Sequence, residues 1–399
     1  VHILGGKSLT LLSADQRERF REYMLVALED DEVEVQDAAI QGLSFVGGED
    51  ASAGVLCIAA GLNPDVDAER LRAVVQALAK IGVTQAVKDA LAGDDPAACM
   101  VAAEAVGLTG SDEGKEALKA VFWDKEQNVR REFMNVLAEQ AGPEDKDFFL
   151  DVLDNYSDAK VLKGALGVLG RMELSEVGGR IFELLGHEYD DVKEAALEAC
   201  IAINGPEMTE RFLGIFDSDN PVERLMATYA LGKLGASEHL DRIKTALEDE
   251  IPDIRKVALE ALAGLCTGGE DWLALAVSRL NDENRDVRLT VVELMGGCFT
   301  PEVTPFLIQA LNDHDDWVCI RALDALGAQR AEEAVRDIVP LLESSNRLVV
   351  MKSIEALGSI GGTAAFRALL DISDSDDPEV MEAAGNAVAK IQAEQEEEG

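Results

Sequence analysis

A chain of 399 residues with 77 acidic and 36 basic side chains carries a formal charge of −41, a field that repels phosphate backbones and excludes nucleic-acid binding through the main surface. The 47% apolar content is enough to bury a large core, so the acidity does not signal a disordered polyanion. Aromatics make up only 5%, leaving Ala, Leu, Val and Gly to do the packing, as close helix–helix contacts require.

The opening residues 1–12 read as a leader. They lack the charged start and full apolar core of a signal peptide, and a beginning at Val1 without Met reads as a chain trimmed from a longer one, leaving open whether a domain precedes it. Ser13 is placed to cap a first helix over Ala14–Leu28, whose polar character and Arg17, Arg19 and Arg21 suit the solvated end of an array. From there one pattern, V-R-x-x-A-x-x-A-L-G-x-[IL]-G, recurs in twelve copies. They begin at Val35, Arg70, Ala98, Arg130, Asp158, Val192, Glu223, Ile254, Val287, Val318, Val349 and Val380. A period near 31 residues indicates helix pairs that cannot bury their apolar faces alone and must stack.

Each unit runs first helix, acidic turn, second helix. The turns include DDEVE at Asp30–Glu34, DSDNP at Asp217–Pro221, NDENRD at Asn281–Asp286 and DSDDPE at Asp374–Glu379. In the unit around Leu311–Gly327, Val318, Ala322, Ala325 and Leu326 form a buried stripe, Asp315 or Asp316 caps the helix, and Gly327 ends or loosens it. Residues 63–205 are less regular, with Gly164, Gly167 and Gly170 on one helix, which marks a looser segment or a change of curvature. Residues 217–391 are the most uniform and should be the stiffest. A single solenoid over residues 13–392 is expected, followed by a frayed acidic tail, residues 393–399.

The residues that carry these copies, Asp286–Arg288 with Leu294–Gly296, Asp253–Arg255 with Ala261–Leu262, and Ala356–Gly361, resemble the HEAT-repeat family, in particular the phycobilisome-lyase-type HEAT-like repeats common in bacteria. The resemblance implies an all-α, right-handed α–α superhelix of about twelve helix pairs and is almost mute on function, since the fold hosts scaffolds, transport receptors, bilin lyases, a metal-dependent hydroxylase and DNA glycosylases.

The chemistry-bearing residues are sparse. The hydroxylase of this fold uses several His-Glu pairs, and only His187-Glu188 matches, too few to hold a metal. His314 among Asp313, Asp315 and Asp316 reads as a solvated residue in a capping turn. The six cysteines (Cys57, Cys99, Cys200, Cys266, Cys298 and Cys319) lack CxxC spacing and point to a reducing, cytoplasmic compartment without a disulfide framework. No run of about 18 apolar residues is available to span a membrane. No catalytic residue, cofactor or metal is expected.

The informative signal is a column. In HEAT arrays second helices line the concave face, and the seventh pattern position reads Gln41, Gln76, Glu104, Val136, Gly164, Glu198, Tyr229, Glu260, Glu293, Asp324, Glu355, Asn386. Four residues before the carboxylates stand Lys256, Leu289, Ile320 and Met351. Tyr229, Glu260, Leu289, Glu293, Ile320, Asp324, Met351 and Glu355 are therefore the candidate partner-binding groove, suited to a basic or amphipathic segment of another protein. A solvated helix face tuned to a salty medium is the plainer reading of the same column. The expected molecule is a monomeric, non-enzymatic scaffold, with a bilin-lyase-like enzyme as the alternative. The pairs Asp253 with Arg255 and Asp286 with Arg288 are read as structural, an Arg of one repeat bonding the turn of the next.

Overall fold

The computed structural model describes residues 13–63, 66–266, 270–298, 300–373 and 375–398, with the side chains of 270, 271 and 395–398 excepted. The leader, residues 1–12, and the turn residues Pro64 and Asp374 lie outside these. The described residues fold into helix pairs in two compact units, residues 1–203 and 204–399, and contain no strand.

In the first unit the pairs are Ala14–Ala27 with Val33–Val46, Glu49–Ala59 with Ala68–Ile81, Gln85–Ala92 with Pro96–Thr109, Asp112–Val121 with Gln127–Gln140, Lys146–Asn155 with Ala159–Arg171, and Ser175–Glu183 with Asp190–Ile203. In the second they are Pro206–Ile215 with Pro221–Lys233, Leu240–Thr245 with Pro252–Leu265, Glu270–Ser278 with Arg285–Gly296, Thr304–Ala310 with Asp316–Ala328, Val335–Ile338 with Arg347–Ile360, and Gly362–Ile372 with Pro378–Glu398. All twelve expected second helices are present. Ser13 does cap the first helix, in a reciprocal box with Gln16. The expectation of a frayed end is corrected: the last helix continues through the acidic run to Glu398.

Glycine sets the packing. Gly232, Gly296, Gly327 and Gly358 each face an alanine of the next second helix, Ala261, Ala325, Ala356 and Ala387. A Cβ added at Gly327 would stand 3.1 Å from the Cα of Ala356. Gly327 therefore does not end its helix, which runs to Ala328, but lets two backbones meet. Second helices pack on one another more extensively than first helices do, so within each unit their side is the inner side of the curve.

The same geometry corrects the register of two repeats. Gly107 faces Val136, and Gly170 faces Ala199, as Gly232 faces Ala261. Repeats four and five thus begin at Val129 and Val161, not Arg130 and Asp158, and Ala98, Val129, Val161 and Val192 lie 31, 32 and 31 residues apart. Residues 63–205 are consequently more regular than the sequence suggested.

A second device links the turns. Arg224, Arg255 and Arg288 each donate from Nη1 to a carbonyl of the turn before their own helix, Ser218 at 2.9 Å, Asp249 at 2.8 Å and Asp282 at 3.0 Å. Each guanidinium then forks onto an aspartate in the next turn. Arg224 reaches Asp249 at 2.8 and 3.1 Å, Arg255 reaches Asp282 at 2.9 and 2.7 Å, and Arg288 reaches Asp313 at 2.7 and 2.9 Å. Those aspartates also accept the backbone N–H two residues on, from Ile251, Asn284 and Asp315. Burial pushes the Asp282 carboxyl up, but the bonds from Arg255 and the Asn284 N–H outweigh it and hold the group below the usual carboxylate range.

The structural reading of these arginines stands, with different acceptors from those the sequence paired. Asp253 instead meets Lys256, and Asp286 meets Arg285. In the next two repeats of the second unit both partners are absent. Cys319 and Val350 occupy the arginine's position, and Ser344 and Ser375 close the following turns, accepting from Asn346 and Asp377. In the first unit Arg130 stacks over Tyr156 at the equivalent place, 4.1 Å from the ring centroid.

Two outcomes test this packing. Arg288→Cys, leaving Asp313 buried without its cation, should lower stability by about 3–5 kcal/mol, and adding Asp313→Ser should restore most of the urea midpoint; equal midpoints for the single and double variants would refute the clamp. Gly327→Ala should cost about 1–3 kcal/mol through the Ala356 backbone, whereas Gly264→Ala, with open space around its Cβ, should gain about 0.5–1 kcal/mol.

Candidate functional site

Each second helix of the second unit is buried on a wide front, because it packs on its own first helix and on both neighbours. In Asp316–Ala328, Val318, Cys319, Ile320, Ala322, Leu323, Ala325 and Leu326 are all buried. Beyond the exposed first residue Asp316, what remains in contact with water is a narrow strip, Trp317, Arg321, Asp324 and Ala328, spaced as i, i+4, i+7 and i+11.

The seventh pattern position lies on that strip. With the corrected register the row in the first unit is Gln41, Gln76, Glu104, Asn135, Gly167 and Glu198, all exposed. Val136, which the sequence placed there, is buried, and Gly164 abuts Met134. In the second unit Tyr229, Glu260, Glu293, Glu355 and Asn386 are exposed and Asp324 is half-buried. The row four residues earlier is less available. Leu289 and Met351 are half-buried, and Ile320 is only 4% exposed. Ile320 is therefore corrected from a groove residue to a core residue: its position turns toward the neighbouring helix, and the strip passes through Arg321 instead.

The structure brings some candidates together. Tyr229 and Glu260 share a recess of about 380 Å³ between the second helices of repeats seven and eight, with Val257, Ala261 and Leu265. Met351 and Glu355 share one of about 440 Å³ between repeats eleven and twelve, with Ile354, Ala383 and Lys390. Glu293, Asp324 and Glu355 are joined by cations the sequence reading overlooked. Arg321 lies 3.2 Å from Glu293 and 3.9 Å from Asp324; Lys352 lies 3.0 Å from Asp324 and 2.9 Å from Glu355. Hydrogen bonds from Lys352 to Glu355 and Asp324 hold that ammonium above its ordinary range. The supposed acidic stripe is an alternating zipper across repeats nine to eleven. Only Glu260, of the four carboxylates, lacks an ion pair among the described residues.

Two apolar residues were also overlooked. Trp317 is 54% exposed and Leu348 41%, and they occupy equivalent places in consecutive repeats, one position before the helix pattern begins. Seven residues separate each from its carboxylate, Asp324 or Glu355, the two-turn spacing that would have put both on the strip.

His314 sits where the turn was expected to place it, exposed, with Nε2 3.1 Å from a nitrogen of Arg288, while Asp315 caps the helix by accepting from Trp317 N–H at 2.9 Å. Burial pushes the Cys319 thiol up to about 11, so it stays protonated in the core. Among the described residues no group of three His, Cys, Asp or Glu side chains gathers to hold a metal, and no helix is long and apolar enough to cross a membrane.

The exposure of the strip is measurable. Trp123 is 36% exposed and Trp272 is 8% exposed, so Trp317→Phe should remove the largest share of the fluorescence that acrylamide quenches; an unchanged quenching slope would place Trp317 inside.

The family model for HEAT repeats matches residues 209–296, 273–336 and 304–389. In fold the chain is similar to crystal structures of Kap121p alone (12% identity, TM-score 0.59, covering 98% of this chain and 51% of that one) and of the karyopherin Kap121p bound to the SUMO protease Ulp1p (14%, 0.59, 98% and 52%). Kap121p bound to Nup53p is similar to the same degree (13%, 0.59, 96% and 51%). This chain spans about half the length of those proteins, and at such identity the likeness is one of fold. Among curated proteins no sequence matches. With stacked helix pairs and glycine-mediated junctions in both units, the described residues are all-α, and residues 209–389 match the HEAT-repeat family, whose solenoid fold the chain resembles.

Proposed function

We propose that this protein is a non-enzymatic scaffold whose second unit binds an amphipathic segment of another protein, with basic residues, along the inner strip of its second helices. The observation that carries the reading is the exposure of Tyr229, Trp317 and Leu348 in a chain with few aromatics, beside the carboxylates Glu260, Glu293 and Glu355 and two open recesses. Large apolar side chains left in water on a rigid wall are the anchors from which protein interfaces gain most of their energy, and the carboxylates supply register. Solenoids of similar fold have been crystallised with protein partners, Ulp1p and Nup53p, bound to Kap121p.

The zipper refines the partner's chemistry. Arg321 and Lys352 already answer Glu293, Asp324 and Glu355, so a uniformly basic segment finds less unmatched charge there than a count of acids suggests. An amphipathic segment, with apolar side chains on Trp317 and Leu348, suits the strip better. The overall charge of −41 still speeds the approach of a cationic partner and keeps anionic ones away. The likeness to phycobilisome-lyase-type repeats, the cytoplasmic setting and the monomeric state belong to this proposal.

Affinity capture from the source lysate, comparing wild type with Trp317→Ser/Leu348→Ser at matched helicity, tests it. A partner retained by the wild type and depleted at least about tenfold by the variant, a change of about 1.4 kcal/mol, supports the groove. Identical partners with both would refute it, and a coloured covalent adduct would favour the bilin-lyase-like alternative.

A further inference from the structure

The two recesses of the second unit are built alike. In each, a glycine of one second helix meets an alanine of the next, Gly232 with Ala261 and Gly358 with Ala387, and a hollow opens between the helices beside that close contact. Each hollow has apolar walls and a carboxylate from the seventh pattern position, Glu260 or Glu355. They differ in what faces that carboxylate. Glu355 is met by Lys352 at 2.9 Å, and Lys390, in the same hollow, lies 3.3 Å from the Ser359 hydroxyl. Glu260 has no ion pair among the described residues. Lys233, the cation of that hollow, lies over the Tyr229 ring, 5.4 Å from its centroid.

We propose that the hollow between repeats seven and eight seats an arginine side chain of the bound segment, with its guanidinium on Glu260 and its stem along Tyr229, Val257 and Leu265. The inference rests on the groove reading above and adds which residue type enters and where. The volume of about 380 Å³ accepts one long side chain. An arginine suits it better than a lysine: its apolar stem packs on the aliphatic wall, and its planar fork matches a carboxylate with two parallel hydrogen bonds. The hollow at repeats eleven and twelve, already supplied with Lys352 and Lys390, is closed to a cation. The groove therefore has a cation-accepting end and a self-satisfied end, and the bound segment has one direction.

The test uses the whole chain and a short fluorescein-labelled peptide with one arginine between two leucines, together with its citrulline counterpart, which keeps the shape and loses the charge. Wild type should bind the arginine peptide about tenfold more tightly than the citrulline one, as a charge-assisted pair implies. Glu260→Gln should erase that difference, and Glu355→Gln should preserve it. If wild type binds both peptides equally and Trp317→Ser weakens both, the arginine seat is overturned while the groove stands. If Glu355→Gln erases the preference as fully as Glu260→Gln, the seat is overturned as well. If neither peptide binds wild type, both readings fall.

Discussion

The contact between Gly and Ala on consecutive second helices is the constraint on which the rest of this structure depends. At Gly327 a single methyl group would stand 3.1 Å from the opposing Cα, so the two helices are as close as their backbones permit. Close second helices curve each unit toward that side and bury all but a narrow strip of each helix. That leaves only a minority of positions on a helix such as Asp316–Ala328 at which chemistry can face a partner. Scarce aromatics follow from the same constraint, because bulky rings would hold the helices apart.

On that strip, local pairing matters more than total charge. The molecule carries −41, and this long-range field selects who approaches. The zipper of Glu293, Arg321, Asp324, Lys352 and Glu355 neutralises much of its own stretch, so what is recognised there is shape and apolar surface. The two scales serve different ends: screened, long-range attraction sets encounter, and the unpaired groups set fit. Surface ion pairs of this exposure add little stability, so the zipper shapes what the strip offers a partner more than it holds the fold together.

Much of this was legible in the sequence, and the failures have physical causes. All twelve second helices were marked by apolar spacing, and several by an Asp or Asn cap such as Asp95, Asn220 and Asp315, because burial imposes the first and first-turn amides the second. The register slipped by three at repeat five since Gly164-Ala165-Leu166-Gly167 imitates the motif three residues ahead of Val168-Leu169-Gly170, which the approach of Gly170 to Ala199 identifies; at repeat four the contact of Gly107 with Val136 sets the register. Ile320 was misplaced because positions three and four residues apart, i+3 and i+4, share a face in a lone helix, while a neighbouring helix covers only one of them. Trp317 and Leu348 were missed because they stand one position ahead of the repeating pattern. Arg321 and Lys352 were missed because a column of one residue type says nothing of what stands beside it.

The Arg–Asp clamp makes the repeats unequal as units of insertion and loss. A repeat whose second helix carries Arg255 in its first turn can be followed by any turn that offers an aspartate, so excising the unit between Asp282 and Asp313 would hand Arg255 an equivalent acceptor. Excising the next unit would present Arg288 with Ser344, a hydroxyl where a carboxylate is needed. Within the second unit the joints are thus of two kinds: second helices with Arg224, Arg255 or Arg288 dock on aspartate turns, and those with Cys319 or Val350 dock on serine turns. A duplication or deletion made at joints of one kind keeps both halves of the clamp matched.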